Sequence, residues 1–174
     1  MKITLVSSTS RSGSKSLELT QFLQKLFLQK GLEVEILDLQ TLPNDFFTSV
    51  LYRSQKSSSF QNIQALVNAT DKFLFVIPEY NCSFPGILKS FVDALEFPKS
   101  FRGKKGGMIG ISDGTQGATV AMSHFSDILN YLGMTLVASR PRLINIGTHF
   151  YDGVMHNEMY LHHIDRTLDE LIAL

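Results

Sequence analysis

A chain of 174 residues in which 16 Lys+Arg balance 16 Asp+Glu has a formal net charge of zero, so nothing in its overall charge draws it to nucleic acid or an acidic membrane surface. One cysteine, Cys82, excludes an internal disulfide, and no paired Cys or His spacing suits a metal. No apolar run reaches the ~18 residues of a membrane span and the opening MKITLVSS is short for a signal core, so one soluble cytoplasmic domain over residues 1–174 is expected.

Strands are predicted at residues 2–6 and 33–37, separated by Leu19, Leu23, Leu26 and Phe27 at helical spacing, with Gly31 as a helix stop. A helix is expected from about Ser57 to Ala69, begun by the polar SQKSSSFQ from Ser54. KFLFVI, Lys72–Ile77, is a continuous apolar strand, followed by a helix over Pro85–Leu95 and a fourth strand, GGMIGIS, ending at Ser112. Ala121, Phe125, Ile128, Leu129 and Leu132 mark the next helix, which Gly133 closes before a fifth strand near Met134–Val137. Leu161, Ile164, Leu168, Leu171 and Ile172 form the last helical stripe. Strands that are apolar throughout are covered on both faces, and right-handed crossovers then give a doubly wound α/β domain with a parallel sheet.

Ligands of such a fold sit beyond the carboxyl ends of the strands. The first of these loops is nearly all hydroxyl: Ser7, Ser8, Thr9, Ser10, Ser12, Ser14 and Ser16, with Arg11 among them. A helix N-terminus with small hydroxyl donors and one guanidinium suits a phosphate. The Lys-Ser/Thr of a Walker A loop and the three-glycine dinucleotide pattern are both missing, which favours a single terminal monophosphate. The same serines would also serve as helix cap and turn residues.

A second loop follows the third strand in PEYNCSFPGILKSFVDAL, Pro78–Leu95. Pro78 closes the strand and Pro85 suits the start of a helix, so Glu79–Ser83 form a constrained, exposed turn with backbone amides toward the crevice, and Tyr80 adds an aromatic face.

On these residues the chain resembles the NADPH-dependent FMN reductases of flavodoxin-like fold, which include quinone, azo-dye and chromate reductases. Their Pro-Glu-Tyr-Asn-x-Ser-x-Pro-Gly-x-Leu-Lys segment is matched by Pro78, Glu79, Tyr80, Asn81, Ser83, Pro85, Gly86, Leu88 and Lys89. Arg11 and Ser14 match their phosphate loop, with Ser8 and Thr9 in place of Gly-Ser and Ser16 in place of asparagine. Ser112, Gly114 and Gly117 match the third loop, with Ala118 replacing its last glycine. The likeness runs nearly to the end of the chain, including YDG from Tyr151 before the final helix.

The resemblance implies a five-stranded parallel sheet of order 2-1-3-4-5 with helices on both faces, holding FMN and using NADPH or NADH. It places Thr9, Arg11, Ser14 and Ser16 on the FMN phosphate and Pro78, Glu79, Tyr80 and Asn81 along the isoalloxazine ring. Ser112 and Gly114 would close the other side. Amides of Glu79, Tyr80 and Asn81 are expected to donate to the ring edge and stabilise the negative charge of reduction, and no side chain is assigned as acid or base. It also implies a homodimer or homotetramer and a small-molecule acceptor: a quinone, an azo compound or a free flavin.

Cys82 has no second cysteine to resolve a disulfide and is not expected to be catalytic. His162 and His163 point apart on a helix and suit a solvated surface. Phe46, Phe47, Tyr52 and Phe150 have no evident element to bury them and are expected at a subunit interface or substrate pocket. The rival to an oxidoreductase is a flavin-bound electron carrier or redox sensor without nicotinamide turnover; the neutral charge favours the enzyme.

Overall fold

The computed structural model describes residues 1–174. Its chain begins with β1, Ile3–Ser7, buried at every position, then α1, Lys15–Gln29, and β2, Glu35–Asp38. After a π-helical turn at Phe46–Val50 come α2, Gln61–Ala69; β3, Lys72–Pro78; α3, Gly86–Ala94; β4, Lys105–Ile111; and α4, Thr119–Tyr131. The remaining elements are β5, Thr135–Leu136; β6, Arg142–Leu143; α5, Ile146–His149; the antiparallel pair β7, Phe150–Tyr151, and β8, Val154–Met155; and α6, Glu158–Ala173.

The sheet is parallel in the order β2-β1-β3-β4-β5, the expected one. Its last strand differs from expectation. The run over Met134–Val137 supplies only the two-residue β5, the chain leaves the sheet, and β6 rejoins β4 at Gly110 and Ile111. Pro141, which has no N–H to give a ladder, lies in that gap, and the Ser139 N–H turns to Glu170 Oε2 at 2.9 Å.

Alternate side chains of β3 explain its unbroken apolar run. Phe73, Phe75 and Ile77 join Val6 and Met108 in one core beneath α2, α3 and α4, whereas Leu74 and Val76 join Leu5, Ile109 and Ile111 in a second core beneath α1 and α6. The Phe75 and Phe125 rings meet edge-on at 5.1 Å. Gly31 and Gly133 end α1 and α4 as expected, at φ 77° and 84°, a left-handed conformation that strains any L side chain. Beyond them the Leu32 and Met134 N–H groups donate back to Phe27 O and Leu129 O, each at 3.0 Å. No helix is long and apolar enough to cross a membrane.

Of the aromatics expected at a surface, Phe47 and Tyr52 are exposed, but Phe46 and Phe150 are core residues. The π-helical turn folds Phe46 onto Phe60, and β7 presses Phe150 against Phe22, with ring centroids 5.9 and 5.6 Å apart.

Candidate functional site

Beyond the carboxyl ends of β1, β3 and β4 lies a cleft of about 340 Å³, lined by Arg11, Ser14, Ser16, Pro78, Glu79, Tyr80, Ser112 and Gly114. These are all but two of the residues expected there. Thr9 is buried below the lining, its Oγ1 2.8 Å from the Tyr80 hydroxyl, and Asn81 stands exposed at the tip of the second loop. Lys15, Asp113 and Ile146 also line the cleft, beyond the residues that the sequence points to. Lys15 follows a capping serine and reads as a solvated helix residue, while Ile146 arrives from a one-turn helix that no periodicity announces.

The first loop is short of partners. Ser14 caps α1 by accepting the Leu17 N–H at Oγ, 3.2 Å away, which leaves its hydroxyl proton free to donate. Leu17 and Glu18 N–H groups return to Ser14 O, but the N–H groups of Ser12 through Ser16 have no protein acceptor. Ser16 Oγ is buried in the cleft wall without a hydrogen bond, and the one other such buried side-chain oxygen, Ser7 Oγ, lies at the same β1–α1 junction. A buried hydroxyl without a protein partner beneath a helix N-terminus suits an oxyanion, and the exposed Arg11 guanidinium stands at the rim. The donor set fits a phosphate monoester such as that of FMN. Ser8, where the family has glycine, does not crowd it: its backbone is outside the left-handed region and its hydroxyl turns back to Val6 O.

The second loop differs from expectation. Asn81 and Cys82 take φ of 50° and 63°, a two-residue hairpin turn of the I′ kind, and Tyr80 and Ser83 exchange N–H···O bonds of 2.8 and 3.0 Å across it. The Glu79 N–H meanwhile donates to Ile111 O at 2.9 Å. Of the three amides expected to face the ring edge, those of Glu79 and Tyr80 are therefore already bonded, and only that of Asn81 is open.

Glu79 has a further structural task, since its Oε2 accepts the Ala118 N–H at 2.9 Å and ties the second loop to the third at the N-terminus of α4. Ala118, in place of a family glycine, holds φ 58° there, a conformation costing an L residue roughly 1–2 kcal/mol. The Ser112 hydroxyl is consumed within its loop, donating to Gly114 O at 2.8 Å and accepting the Gly117 N–H at 2.9 Å. Ser112 thus shapes the far wall of the cleft.

The family model for NADPH-dependent FMN reductase matches residues 1–147. This chain belongs to that family. Within the NADPH-dependent FMN reductases, it is 31% identical over 145 residues to a 2-hydroxy-1,4-benzoquinone reductase of a Burkholderia species, spanning 79% of this chain and 74% of that one. It is 28% identical to an NAD(P)H-dependent FMN reductase of Pseudomonas aeruginosa, over 76% of this chain and 71% of that protein. The structure of FerB, a flavoenzyme NAD(P)H:(acceptor) oxidoreductase from Paracoccus denitrificans, superposes with a TM-score of 0.76 at 22% identity, covering 99% of this chain and 97% of that one. Its likeness shows the flavodoxin-like fold.

Proposed function

We propose that residues 1–174 form one FMN-binding domain that oxidises NADPH or NADH and passes the electrons to a quinone, an azo compound or a free flavin. The observation that carries this reading is the cluster of unpaired donors at the β1–α1 junction, above all the buried Ser16 hydroxyl, in a member of this family. When bound, FMN supplies the two-electron chemistry. The chain's own residues bind and orient it: Arg11, Ser14 and Ser16 hold the phosphate, and Thr9 acts through the Tyr80 hydroxyl. Pro78, Glu79 and Tyr80 form one wall for the ring, the Asn81 N–H is an open donor beside it, and Ser112 and Gly114 form the opposite wall. Rate then rests on positioning rather than on an ionisable side chain.

The same reading places the protein in the cytoplasm as a homodimer or homotetramer. An apolar hollow of about 700 Å³ between α3 and α4, edged by exposed Phe97, Tyr131 and Tyr52, supports a second copy as its cover.

A visible spectrum of purified protein, with FMN content and NADPH oxidation measured for wild type and Arg11→Ala, tests the site. Arg11→Ala should weaken FMN retention by about tenfold or more, the worth of a charge-assisted contact. Full FMN occupancy with lost turnover would contradict the phosphate role, and a wild-type protein that never takes up FMN would end the reading.

A further inference from the structure

The cleft beyond β1, β3 and β4 is charged in two separate regions. Arg11 and Lys15 stand on the β1–α1 side, where Lys15 is paired with Glu18 at 2.7 Å. Two carboxylates, Glu79 and Asp113, line it from the other strand ends. Pro78 and Ile111 are register partners on β3 and β4, the Glu79 N–H donates to Ile111 O at 2.9 Å, and Asp113 follows Ile111 by two residues. Both acids therefore leave adjacent strand ends.

Neither carboxylate takes part in an ion pair. Glu79 is partly offset, since its Oε2 accepts the Ala118 N–H at the N-terminus of α4. Asp113 is not: it is exposed, and the Ser112 hydroxyl beside it bonds Gly114 O and the Gly117 N–H instead. Donors that would balance added negative charge are few, because of the Glu79, Tyr80 and Asn81 amides only the last is open.

We propose that Asp113, with Glu79 as the weaker contributor, holds bound FMN at a lower reduction potential than free FMN. This rests on the FMN reading of the site, in which the ring lies between the wall that carries Glu79 and the wall that carries Asp113. Uptake of a hydride from NADPH, which leaves as NADP+, adds one negative charge to the ring system. Passing that hydride, with one proton from water, to an acceptor removes the charge again. A fixed carboxylate opposes the first step and favours the second, and water displaced from the cleft strengthens its effect. Asp113 acts by charge at a distance, so its signature is a potential and not a lost contact.

The test is a spectroelectrochemical titration, at neutral pH and low ionic strength, of FMN-loaded wild type, Asp113→Asn, Asp113→Glu and Glu79→Gln. Glu33→Gln, at an exposed residue outside the cleft, controls for overall charge, and free FMN in the same buffer is the reference. Asp113→Asn should bind reduced FMN about tenfold more tightly relative to oxidised FMN, a rise of about 30 mV in the midpoint of a two-electron couple. Glu79→Gln should raise it by less, and Asp113→Glu and Glu33→Gln should keep the wild-type value. Three results would overturn the proposal: a wild-type midpoint no lower than that of free FMN, an Asp113→Asn midpoint at or below wild type, or the same rise in Glu33→Gln. Retention of FMN with an unshifted potential refutes this inference alone, whereas failure to retain FMN refutes the flavin reading and this inference with it.

Discussion

Two loops meet across one cleft and treat their polar groups in opposite ways. From Ser12 to Ser16 the backbone N–H groups lack protein partners and the Ser16 hydroxyl is buried unbonded, while in the β3–α3 loop Glu79, Tyr80 and Ser83 all donate within the chain. On the proposed reading a phosphate completes the first loop, so its unpaired groups, unlike the capping Ser14 oxygen, contribute to stability only when something binds. The second is set by its own bonds before any ligand arrives, which lowers the ordering cost of binding. Substitutions in the two loops should therefore separate: cofactor affinity should suffer in the first, and fold stability in the second.

The largest effect belongs to the first loop. Ser16→Ala should raise the dissociation constant for FMN by roughly tenfold to a hundredfold, the range for a hydrogen bond to a charged group. Since the Ser16 hydroxyl bonds nothing in the protein alone, the melting temperature of flavin-free protein should hold or rise slightly. Titration of FMN into both proteins and a melt of each without FMN measure the two quantities. A marked drop in the flavin-free melt with FMN affinity unchanged would invert the assignment.

Glu79→Ala should behave in the opposite sense. It strips the acceptor from the Ala118 N–H, which belongs to a fully buried residue at the start of α4. Leaving that donor unpaired costs about 1–3 kcal/mol, seen as several degrees in a melt of flavin-free protein. Glu79→Gln keeps an acceptor oxygen and should recover most of the loss. If glutamine proved as damaging as alanine, the carboxylate charge at the helix N-terminus, rather than its hydrogen bond, would hold the loops together.

Which parts of this could be read in advance follows from the range of the interactions. The β3 run was legible because every residue from Phe73 to Ile77 is apolar, and a run that short and rich in aromatic and β-branched residues suits a doubly covered strand. The hydroxyl-rich start of α1 was legible too, since a capping serine and the helix it begins are local. Lys72 was not: it is buried at the head of that strand because its ammonium donates to Leu171 O and Ile172 O at the end of α6, partners about a hundred residues away. The bonding of the Glu79 and Tyr80 amides was hidden for a subtler reason. It depends on positive φ at Asn81 and Cys82, and cysteine in such a turn gives no signal where Asn-Gly would have announced a hairpin.

That hidden turn supplies the smallest and most selective test. Cys82 occupies the second central position of the hairpin at φ 63°, exposed and outside the lining of the candidate cleft. Its β-carbon costs roughly 1 kcal/mol in the left-handed region, and glycine would remove that cost while adding roughly 0.5–1 kcal/mol of freedom to the unfolded chain. Cys82→Gly should then be neutral or stabilising by a few tenths of a kcal/mol, about 1 °C in a melt, with FMN affinity unaltered. A loss of stability would mean the turn does not hold positive φ at this residue, so the Tyr80 amide would be free to face a ligand. A tenfold loss of FMN affinity with the melt unchanged would place the Cys82 side chain against the flavin. Either result would erase the contrast between a loop that waits for its ligand and one already closed.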